Sequence, residues 1–164
     1  MNRRTFLHGA VGAATAIVWP SRGSALEGSS TNVIEKIEKS DAEWRKLLTP
    51  AQYDVLRKEG TERPGSSPLD KEYGAGVYHC AGCDLPLFTS AMKFDSGTGW
   101  PSFFTTIDGA VETRTDYRLV FPRTEYHCAR CGGHQGHVFK DGPPPTGLRY
   151  CNNGVALRFA PEKG

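Results

Sequence analysis

Two Cys-x-x-Cys pairs, Cys80-Ala81-Gly82-Cys83 and Cys128-Ala129-Arg130-Cys131, constrain this chain more than any other feature, with 44 residues between them. A Cys-x-x-Cys turn brings two sulfurs close enough to share one ion, and two such turns supply the closed tetrahedral thiolate shell that zinc prefers. Gly82 and Gly132 are the residues expected to give the turns their backbone freedom. Two disulfides and a redox Cys-x-x-Cys are the competing readings, and iron fits the same four-sulfur cage. The spacing favours one structural zinc per chain. Such an ion would add its binding energy to folding and clamp the two halves of a small sheet domain.

The rest of the chain agrees with a small, turn-rich fold. Its 164 residues include 19 glycines and 11 prolines, which punctuate the sequence too often for long helices beyond about residue 60. Before that point two short helices are expected. Ser40-Asp41-Ala42-Glu43 offers an N-cap with an acid in the first turn, followed by an apolar stripe of Trp44, Leu47 and Leu48. Thr49-Pro50-Ala51-Gln52 combines an N-cap, a first-turn proline and a glutamine at N3, with Tyr53 and Leu56 facing inward and Gly60 closing the helix. Short strands are expected at Gly76–His79, Leu119–Phe121 and Val155–Phe159. The predicted fold class is mainly β, a small antiparallel-sheet domain with two short N-terminal helices, clamped by a four-cysteine zinc site.

The N-terminus reads as an address. Arg3 and Arg4 precede an apolar run from Gly9 to Val18 that is too short to span a bilayer, and Gly23-Ser24-Ala25 offers small residues for a cut after Ala25. Arg3-Arg4-Thr5-Phe6-Leu7 resembles a twin-arginine export signal, which implies export to a bacterial periplasm; an uncleaved anchor is the alternative. The expected organisation is a signal peptide over 1–25, a polar linker over 26–39 and one domain over 40–164, with no stable membrane span after cleavage. Arg3, Arg4 and Arg22 are the only charged residues in the first 25, leaving 17 basic against 18 acidic side chains beyond them. A polyanion finds no basic excess there, so no nucleic-acid partner is expected.

Cys151 is left over, and a lone thiol is either buried packing or a nucleophile. Its setting, Arg149-Tyr150-Cys151-Asn152-Asn153, favours reactivity: a cation two residues away lowers a thiol pKa, and asparagines can donate hydrogen bonds to a charged sulfur or oxygen. His134-Gln135-Gly136-His137 supplies two imidazoles suited to general acid catalysis near neutral pH. With four thiolates available for an ion, metal ligation by these histidines is the weaker reading.

Taken together, the motifs from Ser40 to Pro161 resemble the B-type methionine-R-sulfoxide reductases. They comprise Thr61-Glu62-Arg63-Pro64, the Lys93–Phe103 segment with Gly97-Thr98-Gly99-Trp100-Pro101-Ser102, both cysteine pairs, His134–Pro143 and Thr146–Cys151. The resemblance implies that Cys151 is the nucleophile and that Cys80, Cys83, Cys128 and Cys131 hold structural zinc. It implies that Trp100 lines the pocket for the substrate methyl group and that one or both of His134 and His137 protonate the sulfoxide oxygen. Asn153, Arg149 and Asp141 match residues that orient those groups; for Arg149 and Asp141 a structural ion pair is the competing reading. The implied reaction reduces the R epimer of methionine sulfoxide in oxidised proteins and leaves a sulfenic acid on Cys151. Two positions depart from the pattern. Gly154 stands where many members carry serine, which is expected to loosen the turn beside the nucleophile. Thr98 stands where numerous relatives carry a resolving cysteine, so regeneration is expected from an external thiol donor such as a thioredoxin-like protein. A zinc-ribbon binding module and a thiol-disulfide oxidoreductase are the alternatives; the first leaves Cys151, the histidines and the Trp100 loop without purpose.

Overall fold

A computed structural model describes residues 34–118 and 121–163. The expected signal segment and most of the expected linker lie outside the described residues, as do Leu119 and Val120 of one expected strand. Helices α1 (Asp41–Leu47) and α2 (Pro50–Lys58) each open on a capping box, Ser40 with Glu43 and Thr49 with Gln52, and α2 carries proline in its first turn. These reciprocal bonds satisfy N–H groups that have no partner within the helix, which allows helices this short to persist. Trp44, Leu48, Tyr53 and Leu56 are buried, as the stripe predicts, but Leu47 is 60% exposed. Seven residues make barely two turns, and α1 turns Trp44 inward while Leu48, already in extended backbone at the C-cap, supplies the other buried contact. The end of α2 is set by Glu59 in the left-handed region (φ 58°) rather than by Gly60.

Nine strands follow among the described residues: β1 (Gly76–Cys80), β2 (Pro86–Thr89), β3 (Lys93–Phe94), β4 (Ser102–Phe103), β5 (Val111–Asp116), β6 (Arg123–Cys128), β7 (His134–Phe139), β8 (Arg149–Asn152) and β9 (Leu157–Pro161). They form two antiparallel sheets, one of three strands in the order β2-β1-β9 and one of six in the order β3-β4-β8-β7-β6-β5. The fold class expected from sequence is the one observed. Two strand boundaries differ. Phe121 is exposed and outside any strand, with β6 starting at Arg123, and Val155 and Ala156 belong to a 3-10 turn (Gly154–Ala156) that precedes β9. Short apolar runs of this kind do not reveal where ladder pairing starts.

The sheets meet over an aromatic core. Phe88 of β2 stacks on Phe103 of β4 at 4.0 Å between ring centroids, Tyr78 of β1 meets Phe103 edge-on at 5.0 Å, and Tyr126 of β6 meets Tyr150 of β8 at 5.3 Å. Phe103 and Tyr150 are directly paired across β4 and β8, so one face of the large sheet is committed to the core. Phe88 is fully buried, and Phe88→Ala should lower unfolding free energy by about 3–5 kcal/mol, read from denaturant midpoints. An unchanged midpoint would mean that this interface contributes little.

Candidate active site and metal centre

Because side chains alternate across a strand, the face of the large sheet opposite the aromatic core is equally well defined. Pairing places Ser102, Cys151, His137, Glu125 and Arg114 directly opposite one another on β4, β8, β7, β6 and β5, in one row across five strands. The row joins the lone cysteine to an imidazole, a carboxylate and a guanidinium through backbone register alone.

Cys151 opens into a cavity of about 140 Å³ lined by Trp100, Arg123, His137, Phe139 and Asn153 among others. His137 stands at the cavity, and its Nε2 bonds Asp116 Oδ2 at 2.8 Å. His134 sits behind it, with ring centroids 5.4 Å apart, buried and bonded through Nδ1 to Glu125 Oε1 at 2.6 Å. Burial lowers the pKa of His134 against the opposing pull of Glu125, and its Nε2 has no partner among the described residues. The two expected proton donors are therefore not equivalent. His137 faces the reacting space, whereas His134 backs it.

Each imidazole carries a carboxylate that the sequence reading did not single out. Asp116 accepts from the Arg118 backbone N–H at 2.9 Å, from His137, and from Arg123 at 2.7 Å, which together hold its carboxyl well below the usual range. Burial pushes Glu125 upward, but Arg114 and His134 outweigh it and leave the net shift downward. Glu59, at the end of α2, completes the network by pairing with both Arg114 and Arg118. Strand register decides these partners, and with 18 acidic side chains in the chain no local motif marks the two that matter. The depressed carboxyl of Asp116 stabilises the fold above its unfolded pKa of about 4, and that stability is withdrawn as pH falls from there toward the folded value. Asp116→Asn should flatten this acid limb, seen in unfolding midpoints between about pH 7 and pH 3. It should also lower kcat by roughly 10- to 100-fold by releasing His137. An unaltered kcat would remove Asp116 from the machinery.

On the other side of Cys151, Arg149 forms a two-pronged pair with Asp141, at 2.9 and 2.8 Å, and lies over the Phe139 ring. For Cys151 itself burial dominates and pushes the thiol up, with Arg149 and the Thr98 hydroxyl acting in the opposite direction. The expected depression of its pKa by Arg149 is thus outweighed by the partial burial of the thiol. The asparagines also differ from expectation. The Asn153 amide donates to Gln135 O at 2.9 Å and accepts from Glu62 N at 3.0 Å, while Asn152 accepts from Tyr126 at 2.6 Å and donates to Asn153 O at 2.8 Å. Both side chains brace the backbone around Cys151 instead of reaching for its sulfur. Trp100 is held by an indole N–H bond to Glu62 O at 3.2 Å.

The four paired cysteines converge from both sheets: Cys80 ends β1, Cys128 ends β6, and Cys83 and Cys131 lie in the turns beyond. Their sulfurs all lie within 4.8 Å of one another, with Cys80 to Cys131 at 3.7 Å and Cys83 to Cys128 at 3.4 Å. A tetrahedral site with metal–sulfur bonds of about 2.3 Å requires sulfur–sulfur edges of about 3.8 Å, so the donor set fits a single metal ion. Gly132 takes the expected left-handed conformation (φ 66°), but in the first turn that role falls to Asp84 (φ 62°) rather than to Gly82. Arg57 of α2 caps the centre through a 2.9 Å bond to Cys131 O.

Two antiparallel sheets thus carry a cysteine-bearing cavity and, apart from it, a cage of four sulfurs. The SelR domain model matches residues 48–161, and the chain belongs to that family. Relatives named peptide methionine sulfoxide reductase MsrB bear this out. One from Agrobacterium fabrum is 56% identical over 127 residues, covering 77% of this chain and 94% of its own length. One from Pseudomonas putida is 54% identical over 134 residues (80% and 99%), and one from Methanosarcina barkeri 53% identical over 128 (77% and 90%).

Proposed function

We propose that the chain reduces the R epimer of methionine sulfoxide in oxidised proteins, with Cys151 as nucleophile. The observation that carries this reading is the direct cross-strand pairing of Cys151 with His137 at a cavity lined by Trp100. Family membership supports sulfoxide reduction. The arrangement of indole and imidazole supports a pocket that holds the methyl group on one side and the oxygen on the other, which admits one epimer of a chiral sulfur.

Cys151 Sγ attacks the sulfoxide sulfur while His137 delivers a proton to the oxygen as negative charge develops there. The thiol proton replaces the one delivered. The protonated oxygen then passes to Cys151 Sγ as the substrate S–O bond and the transient S–S bond break, so methionine leaves reduced by two electrons and Cys151, oxidised by two, is left as a sulfenic acid. Asp116 and Glu125 hold the imidazoles; Arg149, itself held by Asp141, favours the ionised sulfur. All four remaining cysteines belong to the cage, and Thr98 bonds Ser96 at 2.8 Å in the loop before Trp100. Regeneration therefore falls to an external dithiol of the thioredoxin kind, two thiols giving one disulfide and one water.

Zinc is the ion proposed for Cys80, Cys83, Cys128 and Cys131, where it supplies a cross-link between the sheets and no chemistry at the cavity. We further propose that residues 1–25 direct export by the twin-arginine route to a periplasm, with residues 40–164 forming the exported domain. The twin arginines and the short apolar run support this, and no helix among the described residues is long and apolar enough to cross a membrane. Activity on the separated R and S epimers with a dithiol reductant tests the function. Turnover of R alone is expected; turnover of S, or of neither, would overturn it.

A further inference from the structure

The Thr61-Glu62-Arg63-Pro64 segment lies almost 90 residues ahead of the nucleophile, yet Glu62 makes four bonds around it. Its backbone N–H donates to Asn153 Oδ1 at 3.0 Å, and its backbone carbonyl accepts the Trp100 indole N–H at 3.2 Å. Its carboxylate accepts the Gly154 N–H through Oε1 and the Val155 N–H through Oε2, the latter at 3.0 Å. One residue thus touches the indole lining the cavity, the amide beside Cys151 and the two peptide groups that follow.

The carboxylate answers a specific need. Gly154 and Val155 open a 3-10 turn whose first N–H groups lack partners within the turn, and the preceding residue, Asn153, gives no side-chain cap because its amide is committed to Gln135 and Glu62. Glu62 provides that cap from a distant segment, one oxygen for each N–H. A glutamine would offer one acceptor and turn an N–H2 group toward the second donor. Gly154 is part of the same fit. A Cβ there would collide with Ser67 Oγ and press on Glu62 Oε1, so the missing side chain lets the 62–67 segment close over the turn instead of loosening it.

Resting on the sulfoxide-reductase reading, we propose that Glu62 is a positioning residue that locks Trp100 and the Cys151–Asn153 segment into one register. Glu62→Gln should lower kcat/KM roughly 10- to 100-fold, the loss expected when a half-buried charged partner is removed from a pair of hydrogen bonds. A double-mutant cycle with Trp100→Phe distinguishes positioning from mere structural support. If Glu62 acts through the indole, its replacement should cost no more than about threefold in the Trp100→Phe background. The assays use the full metal-loaded chain, with metal content and unfolding midpoints recorded for each variant. Glu62→Asp, which keeps both oxygens but shortens the reach, serves if Glu62→Gln fails to fold, with the same expectations. Parental kcat and KM in the folded variant, or losses that multiply independently in the cycle, would overturn the positioning role alone. An inactive parent would overturn the reductase reading, and the proposal with it.

Discussion

Cys151→Ser should abolish sulfoxide reduction, by at least about 1,000-fold in kcat, while metal content and unfolding midpoint stay at parental values. A hydroxyl at this position is a far weaker nucleophile at neutral pH, and nothing in the cavity replaces it. No other thiol among the described residues is free to act instead, since the remaining four sulfurs form one cluster. The variant is also structurally mild. Cys151 is held by backbone pairing to Ser102 and His137, which the substitution leaves intact. Steady-state rates with a dithiol reductant, metal analysis and thermal unfolding on the same preparation check all three parts. A variant with near-normal rates would show that the nucleophile is elsewhere. One that loses rate together with its metal would show that Cys151 belongs to the cage.

The opposite pattern is expected for the cage. Cys128→Ser should release the metal and lower stability by more than about 5 kcal/mol, because the binding energy of a structural zinc, about 10–16 kcal/mol, is folding energy. A domain of ordinary stability, about 5–15 kcal/mol, does not survive that loss at physiological temperature. The reason is topological. Cys80 ends a strand of the three-stranded sheet and Cys128 a strand of the six-stranded one, so an ion held by both would tie the sheets at one end of their shared core. Circular dichroism melts with and without a chelator, alongside the variant, measure the effect. A metal-free protein with an unchanged midpoint and two disulfides would contradict it.

Local chemistry was legible in the sequence; partner choice across strands was not. Both capping boxes are written in four consecutive residues, and the metal knuckles announce themselves by spacing. Cys151 stands out by subtraction, as the one cysteine outside the two pairs. Asp116, Glu125 and Glu62 carry no such mark, because their roles depend on which strands lie side by side and in what register. A register shift between Tyr126 and His127 of β6, where Gln135 of β7 is left without a partner in the ladder, illustrates the difficulty. His127 then pairs with His134 while Glu125 pairs with His137, a shift no periodicity reveals. The Cys151 setting was readable as a cation near a thiol, but the sign of the net effect depends on burial, which the neighbouring letters do not encode.

Single-turnover trapping tests the central claim most directly. The reduced, metal-loaded protein is mixed with one equivalent of methionine-R-sulfoxide, without reductant, and a sulfenic-acid reagent is added. About one methionine per chain should form, with the label on the peptide containing Cys151 and on no other. Methionine formed with Cys151 unlabelled, or with Cys151 joined to one of the four paired cysteines, would contradict a lone nucleophile working apart from a metal-bound quartet.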